Sequence, residues 1–360
     1  LGNWVDKPRN EDGLWAANNS VVIVWNPIAG RRPSRKLAEE LRNRLLQEGL
    51  KVYLFDDIWQ ASAAAEDLFS EGKLRAFAAV GGDGTFALQV NLTSLGMPLA
   101  LLPAGTGNVL AKSIGLPKSP KKIAKAILTG KKTQLDAGEA NGKIFVNMIS
   151  LGFDALVVSK VHKVRTQNRK AGNIGYRSYL LPILESCREY CFPELQVEMH
   201  RSFAAACSGL GVSDSRPKDS ERFRGEGGAS GQQSVEGFGS GTLSEGTGSG
   251  QEVFRAKWVF VCNTPRYGWG VRIAPGANPR DGRLDCWMFR RGSIKSGLWY
   301  ALAVQLGGLH RLLPGCQHLQ GTRFFITSEV PVPWQLDGDP AGVSPVEVKV
   351  LPGRITLFVP

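Results

Sequence analysis

A chain of 360 residues, 42% hydrophobic and 21% charged, has the mix of a globular protein and the length of about two domains, which excludes a coiled coil, a collagen and a wholly disordered polypeptide. Lys and Arg number 44 against 32 Asp and Glu, a formal charge of +12 that points to an anionic partner such as phosphate, nucleic acid or acidic lipid. Six cysteines without a CxxC pair and four histidines without ligand spacing argue against a zinc site or a disulfide scaffold and favour a reducing compartment.

In chain order, 21–25 is a short apolar run that suits a strand buried on both faces. A loop at 26–32 leads to a helix over 34–48, where Leu37, Leu41 and Leu45 recur every fourth residue. Strands are expected at 51–55, 77–80 and 98–102, and helices at 61–71, 109–114 and 120–129. The longest uncharged stretch, 84–111, is interrupted by Gly and Pro and cannot be an ordinary bilayer helix. Alternating strands and helices predict an α/β domain with a parallel sheet over 20–134, after an N-terminal extension of 1–19.

From residue 135 the pattern changes. Short β-like runs at 145–151, 194–200, 253–262, 283–289, 322–328, 346–350 and 355–359, with helices at 155–164, 176–190 and 296–313, predict a mainly antiparallel β-sandwich domain over 135–360. Leu298, Trp299, Leu302, Leu306 and Leu309 form a stripe at helical spacing that is expected to face the core. Residues 208–252 hold 12 Gly and 9 Ser, too little apolar surface to offset the entropy of ordering, and read as a disordered insertion.

Three Gly-bearing loops each follow an apolar strand: Asn26, Pro27, Ile28, Ala29 and Gly30; Gly81, Gly82, Asp83, Gly84 and Thr85; and 103–108, which includes Thr106. Ligands of open α/β sheets bind at the carboxyl ends of strands, so the three loops predict one shared anion site. Consecutive glycines allow positive φ and a nest of N–H groups, and a following helix adds its positive dipole end. Asp83 is out of place beside an anion unless a Mg2+ ion lies between them. No Walker loop and no complete dinucleotide fingerprint is present.

The ordered set NPIAG, GGDGT and PAGTGN resembles the diacylglycerol kinase-like lipid kinases, from about residue 21 to the C-terminus apart from the insertion. The resemblance implies an ATP-binding α/β domain followed by a β-sandwich. ATP would then be held by Asn26–Gly30, Gly81–Thr85 with Phe86 and Ala87, and Thr106. A further family contact, often a threonine, falls here on Asp56 and Asp57. Asp337-Gly338-Asp339 is by itself an acid-bearing turn. The family carries Asp-Gly-Glu there with the last acid as proton acceptor, which implies Asp339 as general base beside Asp337, with Asp83 organising Mg–ATP. The family's structural Mg2+ site maps onto the side chain of Asp281 and the main-chain carbonyls of Asn278 and Arg283.

The expected activity is a Mg2+-dependent transfer of the γ-phosphoryl group of ATP to a lipid hydroxyl. The expected place is the cytoplasmic face of an anionic membrane, reached by basic clusters such as Lys118, Lys121, Lys122 and Lys125 or Lys160 and Lys163. Self-association into a homodimer is left open. No RNP motif, basic zipper or zinc finger supports a nucleic-acid partner. The rival readings are an NAD kinase-like enzyme and a non-catalytic nucleotide or lipid sensor.

Overall fold

The computed structural model describes residues 18–27, 29, 34–167, 180–200 and 252–360; the N-terminal extension through residue 17 and the Gly/Ser-rich run through residue 251 lie outside them. The first half is a three-layer α/β arrangement. Its parallel strands run β2 (Lys51–Phe55), β1 (Ser20–Trp25), β3 (Leu74–Gly81), β4 (Pro98–Pro103). Strands β3 and β4 are buried along their whole length, as strands covered by helices on both faces must be.

Helices α1 (Ser34–Gln47), α2 (Ile58–Ser70), α3 (Asp83–Asn91), α4 (Val109–Ile114) and α5 (Pro120–Thr129) connect them. Their ends are written locally. Ser119 caps α5 with Pro120 in its first turn, and Gly130 closes it in the left-handed region. Asp57 accepts the Gln60 N–H at 2.8 Å and caps α2, which accounts for an acid where the family has a threonine contact. Helix α1 buries Ala38, Leu41 and Leu45, the face expected from the leucine spacing.

The second half begins with β5 (Lys132–Ala140), β6 (Lys143–Phe145) and β7 (Met148–Leu151), then α6 (Phe153–Gln167), α7 (Leu180–Glu189), β8 (Leu195–His200), β9 (Val253–Ala256), β10 (Trp258–Cys262) and β11 (Leu284–Phe289). Helix α8 (Ile294–Gln305) precedes β12 (Cys316–Gly321), β13 (Arg323–Thr327), β14 (Pro333–Leu336), β15 (Asp339–Val343) and β16 (Val346–Phe358). An antiparallel sheet in the order β12-β11-β10-β7-β14-β15 packs on the antiparallel part of a ten-stranded sheet that contains β16, β13, β8 and β9. Ile149, Val259, Val261 and Met288 from one sheet meet Leu195, Val197, Phe324 and Val348 from the other in the sandwich core.

Strand β16 joins the halves: it pairs antiparallel with β13 and β5 and, at Thr356 and Leu357, parallel with β4. The expected runs 346–350 and 355–359 are thus one strand, bent where its register shifts between Leu351 and Ile355. The expected strand 253–262 is two: β9 pairs with β8, and β10 passes to the other sheet beside β7 and β11.

The leucine stripe of α8 corrects the expectation of a core face. Gly297, Tyr300, Ala303 and Val304 pack inward, and Leu298, Trp299, Leu302 and Leu306 stand in solvent. A β-carbon on Gly297 would lie 2.8 Å from the Trp258 ring, so the small residue brings the opposite face of the helix down onto β10. Among the described residues no helix is long and apolar enough to cross a membrane.

Candidate functional site

The carboxyl ends of β1, β3 and β4 bring the three loops together. The Asn26 N–H bonds to the Val80 carbonyl at 3.1 Å, and its side-chain amide donates to Thr85 Oγ1 at 2.9 Å, tying the first loop to the second. Ser34 at the start of α1 donates to the Asn26 carbonyl. The second loop holds the third: the Gly81 carbonyl accepts the N–H groups of Ala104 at 2.8 Å and Gly105 at 3.2 Å. Asn108, in the left-handed region, closes the third loop by bonding both the N–H and the carbonyl of Gly105.

The glycines serve a different purpose from the expected one. None of Gly81, Gly82, Gly84, Gly105 and Gly107 has a positive φ; Gly82 sits in extended backbone at φ −97°. Gly82 and Gly105 are small because their loops touch, and Gly81 because Thr85 folds back against it; a β-carbon on Gly84 would have only Asp339 Oδ2 near it, at 3.9 Å. A β-carbon on Gly105 would collide with Gly82 Cα, one on Gly82 would lie 3.2 Å from Gly105 Cα, and one on Gly81 would lie 2.5 Å from Thr85 Oγ1. Close approach, not positive φ, accounts for Gly81, Gly82 and Gly105.

Helix α3 opens into this junction with Gly82 as its N-cap, which has no side chain to cap the backbone N–H groups of the first turn. Its free N–H groups carry a partial positive charge that favours an anion. Thr85 lies in that turn and Thr106 is exposed across the junction. Phe86 and Ala87 turn their side chains into the core, so only their backbone faces the loop side. Pro27 and Ala29 lie in the first loop; Ile28 and Gly30 fall outside the described residues.

Asp83 is a tie between loops. Its Oδ1 accepts the Leu110 N–H at 3.1 Å and caps α4, and its Oδ2 lies 3.0 Å from where a β-carbon of Gly107 would stand.

The turn between β14 and β15 carries the two other acids, and they differ sharply. Asp337, at φ 50°, accepts three backbone N–H groups, from Val146 at 2.7 Å, Asn147 at 2.8 Å and Met148 at 3.0 Å. Burial pushes its carboxyl up to about 6, against the pull of those donors, and the Asp83 charge adds to the rise. Both of its oxygens accept backbone N–H groups, so Asp337 pins the turn to the start of β7. Behind it, Gly338 donates to Gln335, Gln335 to Ser150, and Ser150 to Asp154, which also accepts from the Tyr267 hydroxyl.

Asp339 is half exposed and faces the junction: its Oδ2 is 3.9 Å from the position of a β-carbon on Gly84, in the first turn of α3. On its other side, His162 of α6 brings Nδ1 to 3.5 Å from Asp339 Oδ1. The sequence does not announce this histidine. It sits on a helix with no motif around it, and only the packing of α6 against β14 and β15 brings it to the acid.

The carbonyl-rich turn before β11 is intact. Asp281 accepts from the Arg283 N–H at 3.0 Å and the Gln320 amide at 3.2 Å, and the Asn278 carbonyl accepts the Arg280 N–H at 2.7 Å. Asp136 of β5 fixes the turn through the N–H groups of Gly282 and Gly353. Burial and the nearby charges of Asp285 and Asp136 raise the Asp281 carboxyl above its ordinary value. Asp285, almost fully buried, has one oxygen on His318 and the other without a hydrogen-bond partner. These are hard oxygen donors of the kind Mg2+ takes. Among the described residues no group of three His, Cys, Asp or Glu side chains gathers at one point, so a metal here would depend on main-chain oxygens.

Two family profiles match the chain in order: the diacylglycerol kinase catalytic domain over residues 20–140, and the YegS C-terminal NAD kinase beta sandwich-like domain over residues 233–359. The diacylglycerol kinase of Mycobacterium tuberculosis (strain CDC 1551 / Oshkosh) is 33% identical over 183 residues, 48% of this chain and 57% of that protein. The probable lipid kinase YegS of Salmonella newport (strain SL254) is 24% identical over 349 residues, 95% of this chain and 96% of that protein. A crystal structure of a diacylglycerol kinase from Bacillus anthracis str. Sterne superposes with a TM-score of 0.57 at 16% identity, covering 95% of this chain and 97% of the other. At that identity the likeness speaks for the fold. A two-domain phosphotransferase is the class these features define. The chain carries a diacylglycerol kinase catalytic-domain match followed by a YegS-type sandwich-domain match, and in that order it is similar to the diacylglycerol kinase-like lipid kinases.

Proposed function

We propose that the protein transfers the γ-phosphoryl group of ATP to a hydroxyl of a lipid, of diacylglycerol or sphingoid type, with Asp339 as general base. The observation that supports this most is the approach of Asp339 to Gly84, which joins a half-exposed carboxylate from the sandwich to an uncapped helix start in the α/β half. Phosphoryl transfer needs an anion cradle and a proton acceptor within reach of one another.

In this reading the α3 N-terminus and the hydroxyls of Thr85 and Thr106 hold the nucleotide phosphates. The lipid hydroxyl donates a hydrogen bond to Asp339. As its oxygen bonds to the γ-phosphorus, the bond to the ADP oxygen breaks and the proton passes to Asp339. His162 stands behind the carboxylate, its Nδ1 3.5 Å from Asp339 Oδ1, and when protonated would fix the aim of an acid one methylene shorter than the family's glutamate. Mg2+ bound to the ATP phosphates would supply positive charge to spread that of the transferred group. Asp281 with the carbonyls of Asn278 and Arg283 would hold a second ion that braces the sandwich. Asp83 keeps the loops at their spacing, and the negative charge it brings favours a magnesium-bound nucleotide over a bare one.

The test is incubation of the purified chain with labelled ATP and a total lipid extract, with NAD in a parallel tube and products identified by mass. The expected result is a labelled lipid phosphate. Label in NADP alone would assign the chain to NAD phosphorylation, and no labelled product in either tube would leave a nucleotide or lipid sensor.

A further inference from the structure

The outer face of α8 continues into the 3-10 turn Leu309–Leu312 as one apolar surface. Leu298, Trp299, Leu302, Leu306, Leu309 and Leu312 are between 46% and 77% exposed. Scattered exposed leucines are ordinary, but six large apolar residues on one helix and its extension form the kind of contiguous patch that marks a contact surface. Burial does not force it outward: the inward face is already filled by Tyr300 and Val304.

Charge identifies the partner. From Cys286 to Ser328 the chain has no Asp or Glu, while it carries Arg290, Arg291, Lys295, Arg311 and Arg323. The first four are exposed and flank the apolar face at both ends. Arg291 and Lys295 also line a cavity of about 350 Å3 together with Trp299, Tyr300 and Leu313. An apolar helix face with basic flanks and an aromatic at the boundary matches a bilayer surface: side chains enter the acyl region and cations meet anionic headgroups. A face made for a second copy of a chain of charge +12 would set these cations against their own kind.

We infer that α8 and the turn after it are the docking surface by which the protein sits on an anionic lipid bilayer. This rests on the lipid kinase reading for its purpose, since a substrate that stays in the bilayer has to be reached there, but not for its measurement. The experiment is co-sedimentation of the full chain with phosphatidylcholine vesicles, with and without phosphatidylglycerol, in the absence of ATP. Two variants accompany it: Leu298→Ser/Leu302→Ser/Leu306→Ser, and Arg290→Gln/Arg291→Gln/Lys295→Gln. Every substituted side chain is exposed, so unchanged melting curves are expected.

Wild type should bind the anionic vesicles and release with salt. The apolar variant should lose at least about tenfold in affinity, and the basic variant about fivefold per charge on anionic vesicles only. Wild type that fails to bind, or an apolar variant that binds equally well, overturns the inference. So does a dimer in sedimentation velocity that the apolar variant dissociates, and so does binding that emerges only after residues 203–250 are deleted. Phosphorylation of lipid in detergent micelles separates the two claims. Activity without vesicle binding refutes the docking surface alone, and vesicle binding without activity refutes the kinase alone.

Discussion

Two aspartates one residue apart do opposite things, and the reason is what each oxygen touches. Asp337 spends both oxygens on three backbone donors, so replacing it acts on the fold. Asp337→Asn presents an amide N–H to a backbone N–H and leaves a buried donor unsatisfied, at a cost of about 1–3 kcal/mol. Because the folded carboxyl titrates near 6, above the roughly 4 of an unfolded aspartate, the protonated form is favoured by folding. Its contribution is full at low pH and is lost as pH rises through about 6. Melting curves of the two proteins should therefore lie furthest apart below about pH 4 and draw together as pH rises from about 4 to above 6; a gap that widens with pH would contradict the assignment. His162→Gln should leave melting unchanged and lower kcat by up to about 10²-fold through loss of aim, with ATP affinity intact. An equal rate in that variant would make the contact incidental. Asp339 became a candidate only through the likeness of the DGD turn to the family's Asp-Gly-Glu, and its histidine neighbour was not legible at all, since a lone His on a helix carries no spacing signal.

Among elements, the parts with a strong local signal were legible. The apolar strand β1, the leucine-spaced α1 and the Ser-Pro start of α5 stand where the pattern put them. Strands β5, β14 and β15 escaped because KTQLDAGEA, PWQL and DPAGV hold Gly, Pro or acids and do not alternate; partners in the sheet make them strands. Helix α8 misled because both of its faces are apolar, and periodicity cannot say which one the core takes. The three loops were recognised, but the reason for their glycines was not, because contact between loops is a tertiary fact. That contact makes a graded prediction. Gly105→Ala forces the second and third loops apart and should abolish ATP binding and lower Tm, whereas Gly82→Ala, with 3.2 Å to its neighbour, should weaken binding less. Calorimetry of ATP binding checks the order, and equal affinities in both variants would remove the loop junction as the site.

For the whole molecule, the last strand is what makes two domains one sheet: β16 borders β4 at one end and β13 at the other. Against this, β8 and β9 pair as neighbours with Glu198 opposite Val253, so the chain leaves and re-enters the sandwich at one place. Replacing 203–250 by a short Gly/Ser linker should therefore keep Tm and micellar activity near wild type, since a hairpin closes there with little added strain. A large drop in Tm would show that the segment packs on the sandwich. The most direct test of the account is the steady-state rate of Asp339→Asn with labelled ATP and the lipid found in the extract screen. The substitution keeps size and removes proton acceptance, so kcat should fall about 10²–10⁴-fold while the Kd for ATP stays the same. A near wild-type kcat at saturating ATP and lipid would contradict the assignment of Asp339 as the base.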